Sequence, residues 1–236
     1  SMYPTIEIGD HIFVDKLSLY WRAPERGEVI VFEYPCTHDI DYVKRVIAVG
    51  GDTVEVRCNV VYVDGVAIPN ELVVASDQYD DYDPEEHRWY TRATSRYRER
   101  IGSQTYEVFH DPDRPERDRH RDTLPAGDAR DFPNMEKLIA PSCTQGEFYN
   151  RPTPSAGQLT GKIVVNVHDA KPCEQQAHFV VPDGGLFVMG DNRNNANDSR
   201  YWGVVSVDAV RGRVLGVWIN DPPGGDRKWS RVGAIH

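Results

Sequence analysis

One lysine of this chain lies where an amine could act as a base. Lys44 is in the segment 42–49 (YVKRVIAV), whose two alternating faces are both mostly apolar. Such a strand is buried on both sides, and burial favours the neutral form of a lysine and lowers its pKa. A base that works near neutral pH needs a shift of roughly 3 units from the ordinary value of about 10.4. From the strand pattern alone, a lysine whose ammonium group reaches water is the simpler interpretation.

A serine that could serve as a nucleophile stands first in the sequence Ser1-Met2-Tyr3-Pro4-Thr5. Pro4 favours an extended conformation of Tyr3, which would present Ser1 on an extended segment. A serine hydroxyl is a weak nucleophile and needs a base within hydrogen-bond reach, about 2.6–3.2 Å. The alternative interpretation is that Ser1 is a residue left by cloning and has no role.

An Asn- and Asp-rich segment, residues 190–203 (GDNRNNANDSRYWG), follows the apolar run 186–189. Short Asn and Asp side chains bond to nearby backbone groups and build compact loops without regular structure. The two arginines and two aspartates of the segment can brace such a loop by charge-assisted hydrogen bonds. A surface turn is the alternative, but the preceding apolar run favours a structured, buried loop.

The segments around these residues predict a mainly β protein. Apolar-rich runs bounded by turn signals predict strands at 11–14, 28–34, 42–49, 53–57, 60–63, 104–109, 162–168, 178–181 and 186–189. Residues 204–219 predict a strand pair or a short helix followed by a strand. The charged segment 111–122 is typical of a solvated loop, and we assign no strand to the acidic residues 77–86 or the basic residues 88–100.

The strand predictions suggest two parts of the chain. We expect one β core from residues 1–65 and 160–236, and a long, partly irregular, β-rich inserted domain at 66–159. The formal net charge of −10 argues against nucleic acid as a partner, because phosphate binding needs clustered Lys and Arg. The chain has no apolar run of about 18 residues and no signal peptide. Because it begins with Ser1 rather than Met, we expect that an upstream segment has been removed.

The cysteines predict disulfides rather than a metal site. No C-x-x-C pair occurs, and the eight histidines show no metal-ligand spacing, so we expect no metal. Four cysteines allow three connectivities in an oxidising compartment, and four free thiols are the alternative. Cys36 and Cys58 follow strand-like runs, whereas Cys143 and Cys173 lie in polar loop sequence. The pairing that we expect is Cys36–Cys58 and Cys143–Cys173.

Five sequence boxes occur in the order found in one protease family. They are SMYPT at 1–5, GDHIFVDK at 9–16, RGEVIVF at 26–32, YVKRV at 42–46 with Gly51-Asp52, and GDNRNNANDSRYWG at 190–203. Together they resemble the boxes of type I signal peptidases, serine proteases that use a lysine rather than a histidine as general base. The resemblance covers about residues 1–65 and 160–220, and it implies a signal-peptidase-like β-sheet catalytic core with an insertion.

The resemblance implies roles for individual residues. Ser1 matches the nucleophile, Lys44 the general base, and the main-chain N–H of Ser1 an oxyanion-hole donor. The substrate pocket and the strand along which the substrate would lie are matched by Met2, Ile6, Ile12, Asp41, Tyr42 and Val43. The residues that would support the site are Gly190, Asn192, Arg193, Asn195, Asp198 and Arg200. The last two of these match a bracing ion pair.

The chain departs from many relatives at Ala196. Those relatives carry a serine there, and its hydroxyl helps to orient the lysine. Asn195, Asn197 or a water molecule are the candidates to replace that hydroxyl in this chain.

The same resemblance implies a membrane-associated serine endopeptidase that removes signal peptides from exported preproteins through an acyl-enzyme. It implies a membrane anchor upstream of Ser1, a catalytic domain on the outer, periplasmic side of the bacterial cytoplasmic membrane, and no cofactor. Substrates would bind extended, by strand addition, with small residues at the first and third positions before the cleaved bond.

Three other interpretations stay open. A self-cleaving repressor-type Ser–Lys peptidase domain would need a cleavage site within its own chain, and the acidic balance and long insertion count against it. An N-terminal-nucleophile hydrolase would use the α-amine of Ser1 as its base and would make Lys44 dispensable. A non-catalytic β domain that binds partners would keep the boxes for folding alone.

Overall fold

A computed structural model describes residues 1–37, 39–124, 127–143 and 158–235. Within these ranges the chain is mainly β, as predicted. The strands are β1 (Asp10–Asp15), β2 (Val29–Glu33), β3 (Asp41–Val49), β4 (Thr53–Arg57), β5 (Val60–Val63), β6 (Val66–Ala67), β7 (Asn70–Asp83), β8 (Arg88–Ile101), β9 (Gln104–His110), β10 (Lys162–Val165), β11 (Ala177–Val180), β12 (Gly185–Met189), β13 (Val205–Ser206), β14 (Val210–Asn220) and β15 (Gly233–Ala234). The helices are α1 (Arg114–Arg119) and α2 (Ser199–Trp202), with 3-10 turns at Ser18–Tyr20, Arg121–Thr123, Val207–Ala209 and Trp229–Arg231. None of the described helices has the length and apolar character needed to cross a bilayer.

The strands form three antiparallel sheets. The first sheet has the order β1-β14-β2-β3-β12-β13, and β15 also pairs with β14. The second sheet has the order β10-β11-β4-β5-β6, and the third has the order β7-β8-β9. Every strand that the sequence predicted is present, and the stretch 204–219 holds β13, a 3-10 turn and most of β14.

Strand β3 lies at the centre of the first sheet, between β2 and β12. Val46, Ile47 and Ala48 are completely buried. Val46 packs in one apolar cluster, whereas Ile47 and Ala48 pack in another. The prediction of a strand buried on both sides is therefore confirmed, because each face has its own apolar partner.

The long hairpin of β7 and β8 was not predicted. The register of the hairpin places Glu71 opposite Arg98 and Asp83 opposite Arg88, and other opposite charges pair diagonally across the two strands. Arg92 pairs with Asp81 and Arg96 with Asp77, each at 2.8 Å. Opposite charges on facing strands stabilise a sheet, but the apolar alternation that signals a strand is largely missing here. The two charged segments are thus complementary halves of one hairpin.

The third sheet packs into the same core as the rest of the chain. Tyr97, Tyr106 and Val108 are buried in the cluster that contains Ile47. The segment 111–122, which we expected to be a solvated loop, contains α1, and Arg114 of this helix is only 1% exposed because it stacks on the ring of Tyr97. The division into a core at 1–65 and 160–236 and an insertion at 66–159 stays a prediction.

The four cysteines form two disulfides, but the predicted pairing was wrong. Cys36 bonds to Cys143 and Cys58 to Cys173, with Cα–Cα distances of 5.2 and 5.3 Å. Cys36 follows β2 of the first sheet, whereas Cys58 lies in the turn between β4 and β5 of the second sheet. Cys36 and Cys58 therefore lie at different sheets and do not bond to each other. Each of them bonds instead to a cysteine more than 100 positions further along the chain.

Replacing both Cys36 and Cys143 with serine removes a bridge between residues 107 positions apart. The free energy of unfolding should fall by about 2–4 kcal/mol, because the unfolded chain regains the entropy of an open loop. Urea unfolding followed by tryptophan fluorescence measures the change. In a reducing buffer the variant and the parent should unfold alike, and a difference that persists there would contradict a role for the bridge.

Candidate active site

The side chains of Ser1 and Lys44 meet, although 43 positions separate them in sequence. The distance between Lys44 Nζ and Ser1 Oγ is 2.8 Å. Lys44 Nζ also donates to the carbonyl oxygen of Val43 at 3.1 Å, and the residue is only 3% exposed. The interpretation in which the lysine reaches water is therefore wrong, and the geometry that a nucleophile and its base require is present.

The surroundings of Lys44 lower its proton affinity. Burial lowers the pKa of the amine to about 8, because the ammonium form loses its hydration. The nearby carboxylates of Asp198 and Asp191 oppose this effect, since they favour the charged form. About a tenth of such a lysine is neutral at pH 7, against well under 1% of an ordinary lysine. Lys44 is thus able to accept a proton near neutral pH.

The segment that carries Ser1 turns rather than extends. The main-chain N–H of Ile6 donates to the carbonyl of Met2 at 2.9 Å and closes a turn. Met2 and Tyr3 are both 4% exposed. The extended segment expected around Pro4 was wrong, because a proline also suits a turn. The turn buries the side chains of Met2 and Tyr3.

The loop after β12 holds the main chain of Ser1. The N–H of Asn192 donates to the Ser1 carbonyl at 3.0 Å. A Cβ at Gly190 would lie 2.6 Å from the Ser1 carbonyl oxygen and 2.4 Å from the Cβ of Ala196. Only glycine fits at this position without a shift of the backbone around the nucleophile.

The loop is buried and braced, as the sequence predicted. Asp198 accepts from the N–H of Gly190 at 3.1 Å and from two nitrogens of Arg200, Nε at 2.8 Å and Nη2 at 2.9 Å. Arg200 also donates to the carbonyl of Arg193 at 2.7 Å. Asp198 caps α2 by accepting from the N–H of Arg200. One buried ion pair therefore joins both ends of the loop.

A second ion pair ties the loop to the strand that carries Lys44. Arg45 donates to both carboxylate oxygens of Asp191, at 2.9 and 2.8 Å, and to the carbonyl of Gly27 at 2.7 Å. The hydroxyl of Thr5 donates to the same carboxylate. Arg45 and Asp191 are completely buried, so each charge is stabilised by the other instead of by hydration. The sequence analysis missed Arg45, although a second cation in an apolar strand was a usable signal.

A third ion pair joins the loop to β8. Arg193 donates to Glu99 through Nη1 at 2.7 Å and through Nη2, and the hydroxyl of Tyr106 donates to the same carboxylate at 3.0 Å. Glu99 lies in the basic segment, where nothing in the sequence marked it. Each buried carboxylate of this region thus pairs with an arginine. Within the described ranges, no three His, Cys, Asp or Glu side chains come together in a group that could hold a metal ion.

An open cleft of about 830 Å³ contains the Ser1–Lys44 pair. Of the predicted substrate-binding residues, Met2, Ile6, Asp41, Tyr42 and Val43 line it, and so does the predicted supporting residue Asn195. The sequence analysis missed Tyr3, Glu7, Ile8, Asn194, Asn197 and Tyr201 as lining residues. These residues lie within a few positions of predicted ones, so proximity in sequence was the one signal that could have found them.

Ile12 is not among the residues that line this cleft. It is half-buried on β1 and packs against the cluster of Met2, Val29 and Val214. Ile12 therefore contacts the cleft-lining residue Met2 through their shared cluster, and its predicted contact with substrate stays a prediction.

Strand β3 borders the cleft at residues 41–44. β2 pairs with β3 at residues 41–45, whereas β12 pairs with it at residues 45–49. The pairing with β12 therefore begins only beyond Lys44. An extended peptide can add beside a strand through main-chain hydrogen bonds.

The amine of Lys44 donates a hydrogen bond to a main-chain carbonyl as well as meeting Ser1. The described hydrogen bonds of its amine are those with Ser1 and Val43. Asn195, one candidate to replace the hydroxyl missing at Ala196, donates instead to the hydroxyl of Tyr79 at 3.3 Å. Among the described residues, the carbonyl of Val43 is thus the main-chain acceptor of the amine.

Comparisons with known proteins identify the family of this chain. The family model described as "Signal peptidase, peptidase S26" matches residues 1–219. Signal peptidase I of Aquifex aeolicus is 33% identical over 92% of this chain and 72% of that protein. Signal peptidase I of Pseudomonas aeruginosa is 27% identical over 100% of this chain and 69% of that protein. A crystal structure of a signal peptidase I from Enterococcus faecalis matches 81% of this chain and 97% of that one, with 20% identity and a TM-score of 0.34. From the family match and the identity to the Aquifex protein, the chain belongs to the signal peptidase family, peptidase S26.

Proposed function

We propose that this chain is a serine endopeptidase that removes signal peptides from exported preproteins, with Ser1 as nucleophile and Lys44 as general base. The observation that carries the proposal is the distance of 2.8 Å between Ser1 Oγ and the Nζ of a lysine that is only 3% exposed. A base within hydrogen-bond reach is what a serine needs to become nucleophilic.

The proposed reaction passes through an acyl-enzyme. Ser1 Oγ attacks the scissile carbonyl carbon while its proton moves to the neutral amine of Lys44. The main-chain nitrogen of Ser1 donates to the oxyanion that forms. The C–N bond then breaks, and Lys44 delivers the proton to the leaving amine. Water attacks the ester with Lys44 again as base, which frees the signal peptide and restores the serine.

The cleft supports a peptide substrate with small side chains. Met2, Ile6 and Val43 give it apolar walls beside the Ser1–Lys44 pair. Residues 41–44 of β3 border the cleft and lie outside its pairing with β12, so an extended chain could bind beside them through main-chain hydrogen bonds. Together these features suit a segment with small residues at the first and third positions before the cleaved bond.

An extracytoplasmic position fits the cysteines. We place the enzyme on the outer, periplasmic side of the bacterial cytoplasmic membrane, where signal peptides of exported proteins emerge. Two disulfides support this placement, because they persist in oxidising compartments. The membrane anchor that the family resemblance implies stays a prediction.

Substituting Lys44 with alanine should lower kcat by about 1000-fold or more, because it removes the only proton acceptor of the proposed reaction. Ser1→Ala should do the same. Cleavage of a fluorogenic peptide with an Ala-x-Ala site measures both rates. Lys16→Ala is the matched control, since Lys16 is an exposed lysine away from the cleft and should leave the rate unchanged.

The outcomes of this experiment separate the open interpretations. Proteolysis that survives Lys44→Ala but not Ser1→Ala would point to the α-amine of Ser1 as base. No peptide cleavage by any variant, the parent included, would point to a binding domain. Loss of mass from the parent chain itself, absent in Ser1→Ala, would point to a self-cleaving domain.

The rate should rise with pH through a midpoint near the pKa of Lys44, about 8. The amine of Lys44 can accept a proton only when it is neutral. kcat/KM should therefore fall about tenfold per pH unit below the midpoint and level off above it. A pH–rate profile of peptide cleavage measures the midpoint. In this chain, burial and the neighbouring Lys44 lower the pKa of the Ser1 α-amine to about 6, so a midpoint there would contradict Lys44 as base.

A further inference from the structure

The hairpin of β7 and β8 reaches the segment that carries Ser1. The hydroxyl of Tyr3 donates to the main-chain carbonyl of Asp80 at 2.8 Å. The ring of Tyr3 packs on the ring of Tyr79, with centroids 4.8 Å apart. Tyr3 is 4% exposed, so its side chain is held in place on several sides. The nucleophile is two residues away from this contact.

The same hairpin also contacts the loop that holds the Ser1 carbonyl. Asn195 donates to the hydroxyl of Tyr79 at 3.3 Å. The ring of Tyr79 also stacks on the ring of Phe109 in β9, with the centroids 5.3 Å apart. Three aromatic rings, from Tyr3, Tyr79 and Phe109, thus form a row that links the segment of Ser1 to the third sheet.

Phe109 completes the connection through its main chain. Its N–H donates to the carbonyl of Asp191 at 2.9 Å, and its carbonyl accepts from the N–H of Arg193 at 2.9 Å. Asn192, between these two residues, donates to the Ser1 carbonyl at 3.0 Å. The contacts therefore form a continuous ring of residues. It runs from Ser1 along the chain to Tyr3, through the rings of Tyr79 and Phe109 to the loop, and from Asn192 of the loop back to Ser1.

We propose that Tyr79 is a positioning residue for the nucleophile, so that the third sheet is part of the catalytic machinery rather than an appendage; this rests on the proposed function. Aromatic rings are rigid and have few rotatable bonds, so the row of packed rings sets the distance between the Ser1 segment and the loop. The transfer of a proton from Ser1 to Lys44 depends on that distance, and a displacement of about 1 Å can lower a rate by about 100-fold.

The test is the pair of variants Tyr79→Leu and Tyr79→Phe, assayed by peptide cleavage. Tyr79→Leu shortens the row of rings, so kcat should fall by about 10- to 100-fold while KM changes by less than about twofold. The midpoint of the pH–rate profile should stay where it is in the parent, since Tyr79 does not bury Lys44. Tyr79→Phe keeps the ring and should restore most of kcat.

Tyr90→Leu is the matched control. Tyr90 lies on the same hairpin, and its hydroxyl bonds to Glu86 and Arg88 rather than to the site. Its substitution should leave kcat and KM unchanged. Urea unfolding of each variant gives the folded fraction by which the rates are corrected.

Three results would overturn the positioning role. They are an unchanged kcat in Tyr79→Leu, a rise in KM alone, which would make Tyr79 a substrate contact, and a loss in Tyr79→Phe as large as that in Tyr79→Leu. Failure of the proposed function gives a different pattern, since Lys44→Ala or Ser1→Ala would then keep the activity of the parent whatever the Tyr79 variants do.

Discussion

The contact between a buried amine and the first hydroxyl of the chain is the constraint around which the rest of the structure is arranged. Lys44 can serve Ser1 only if it is shielded from water, since hydration would return its pKa toward the ordinary value. The centre of the first sheet supplies that shielding, because β3 has apolar neighbours on both faces. The first residues of β3 line the cleft, and there the amine of Lys44 meets the hydroxyl of Ser1.

Holding a neutral lysine beside two carboxylates requires that those carboxylates be compensated. Asp191 and Asp198 both favour the charged form of Lys44, and each is bonded by two nitrogens of an arginine. Arg45 and Arg200 therefore do two things at once: they fix the loop that carries Gly190, and they reduce the negative charge that the amine experiences. Removal of either arginine would leave a buried, uncompensated carboxylate, which is the costly outcome for an ion pair in a protein interior.

The acidic and basic segments in the middle of the chain form a hairpin that contacts the candidate site. Their charges pair across a hairpin, and the hairpin carries Tyr79 to the nucleophile segment and Asp81 to within 3.5 Å of Asn195. Glu99 of the same sheet receives Arg193 from the loop. The middle of the chain thus contacts both elements of the candidate site, the segment of Ser1 and the loop after β12.

The sequence by itself determined the class of fold and the strand of Lys44, because alternating apolar runs are local signals that survive without knowledge of the fold. Its ordered boxes predicted that Ser1 and Lys44 meet. It also determined that residues 190–203 form a structured loop, since Asn and Asp bond to their own neighbourhood. It did not reveal the β7–β8 hairpin, because charged side chains interrupt the apolar alternation along both strands. The disulfide pairing, the packing of Ile12 against the cluster of Met2 and the partners Glu99 and Tyr79 were decided by tertiary structure alone. Each of these depends on which sheets lie against each other, and contacts between residues about 100 positions apart leave no mark in the local pattern of either partner.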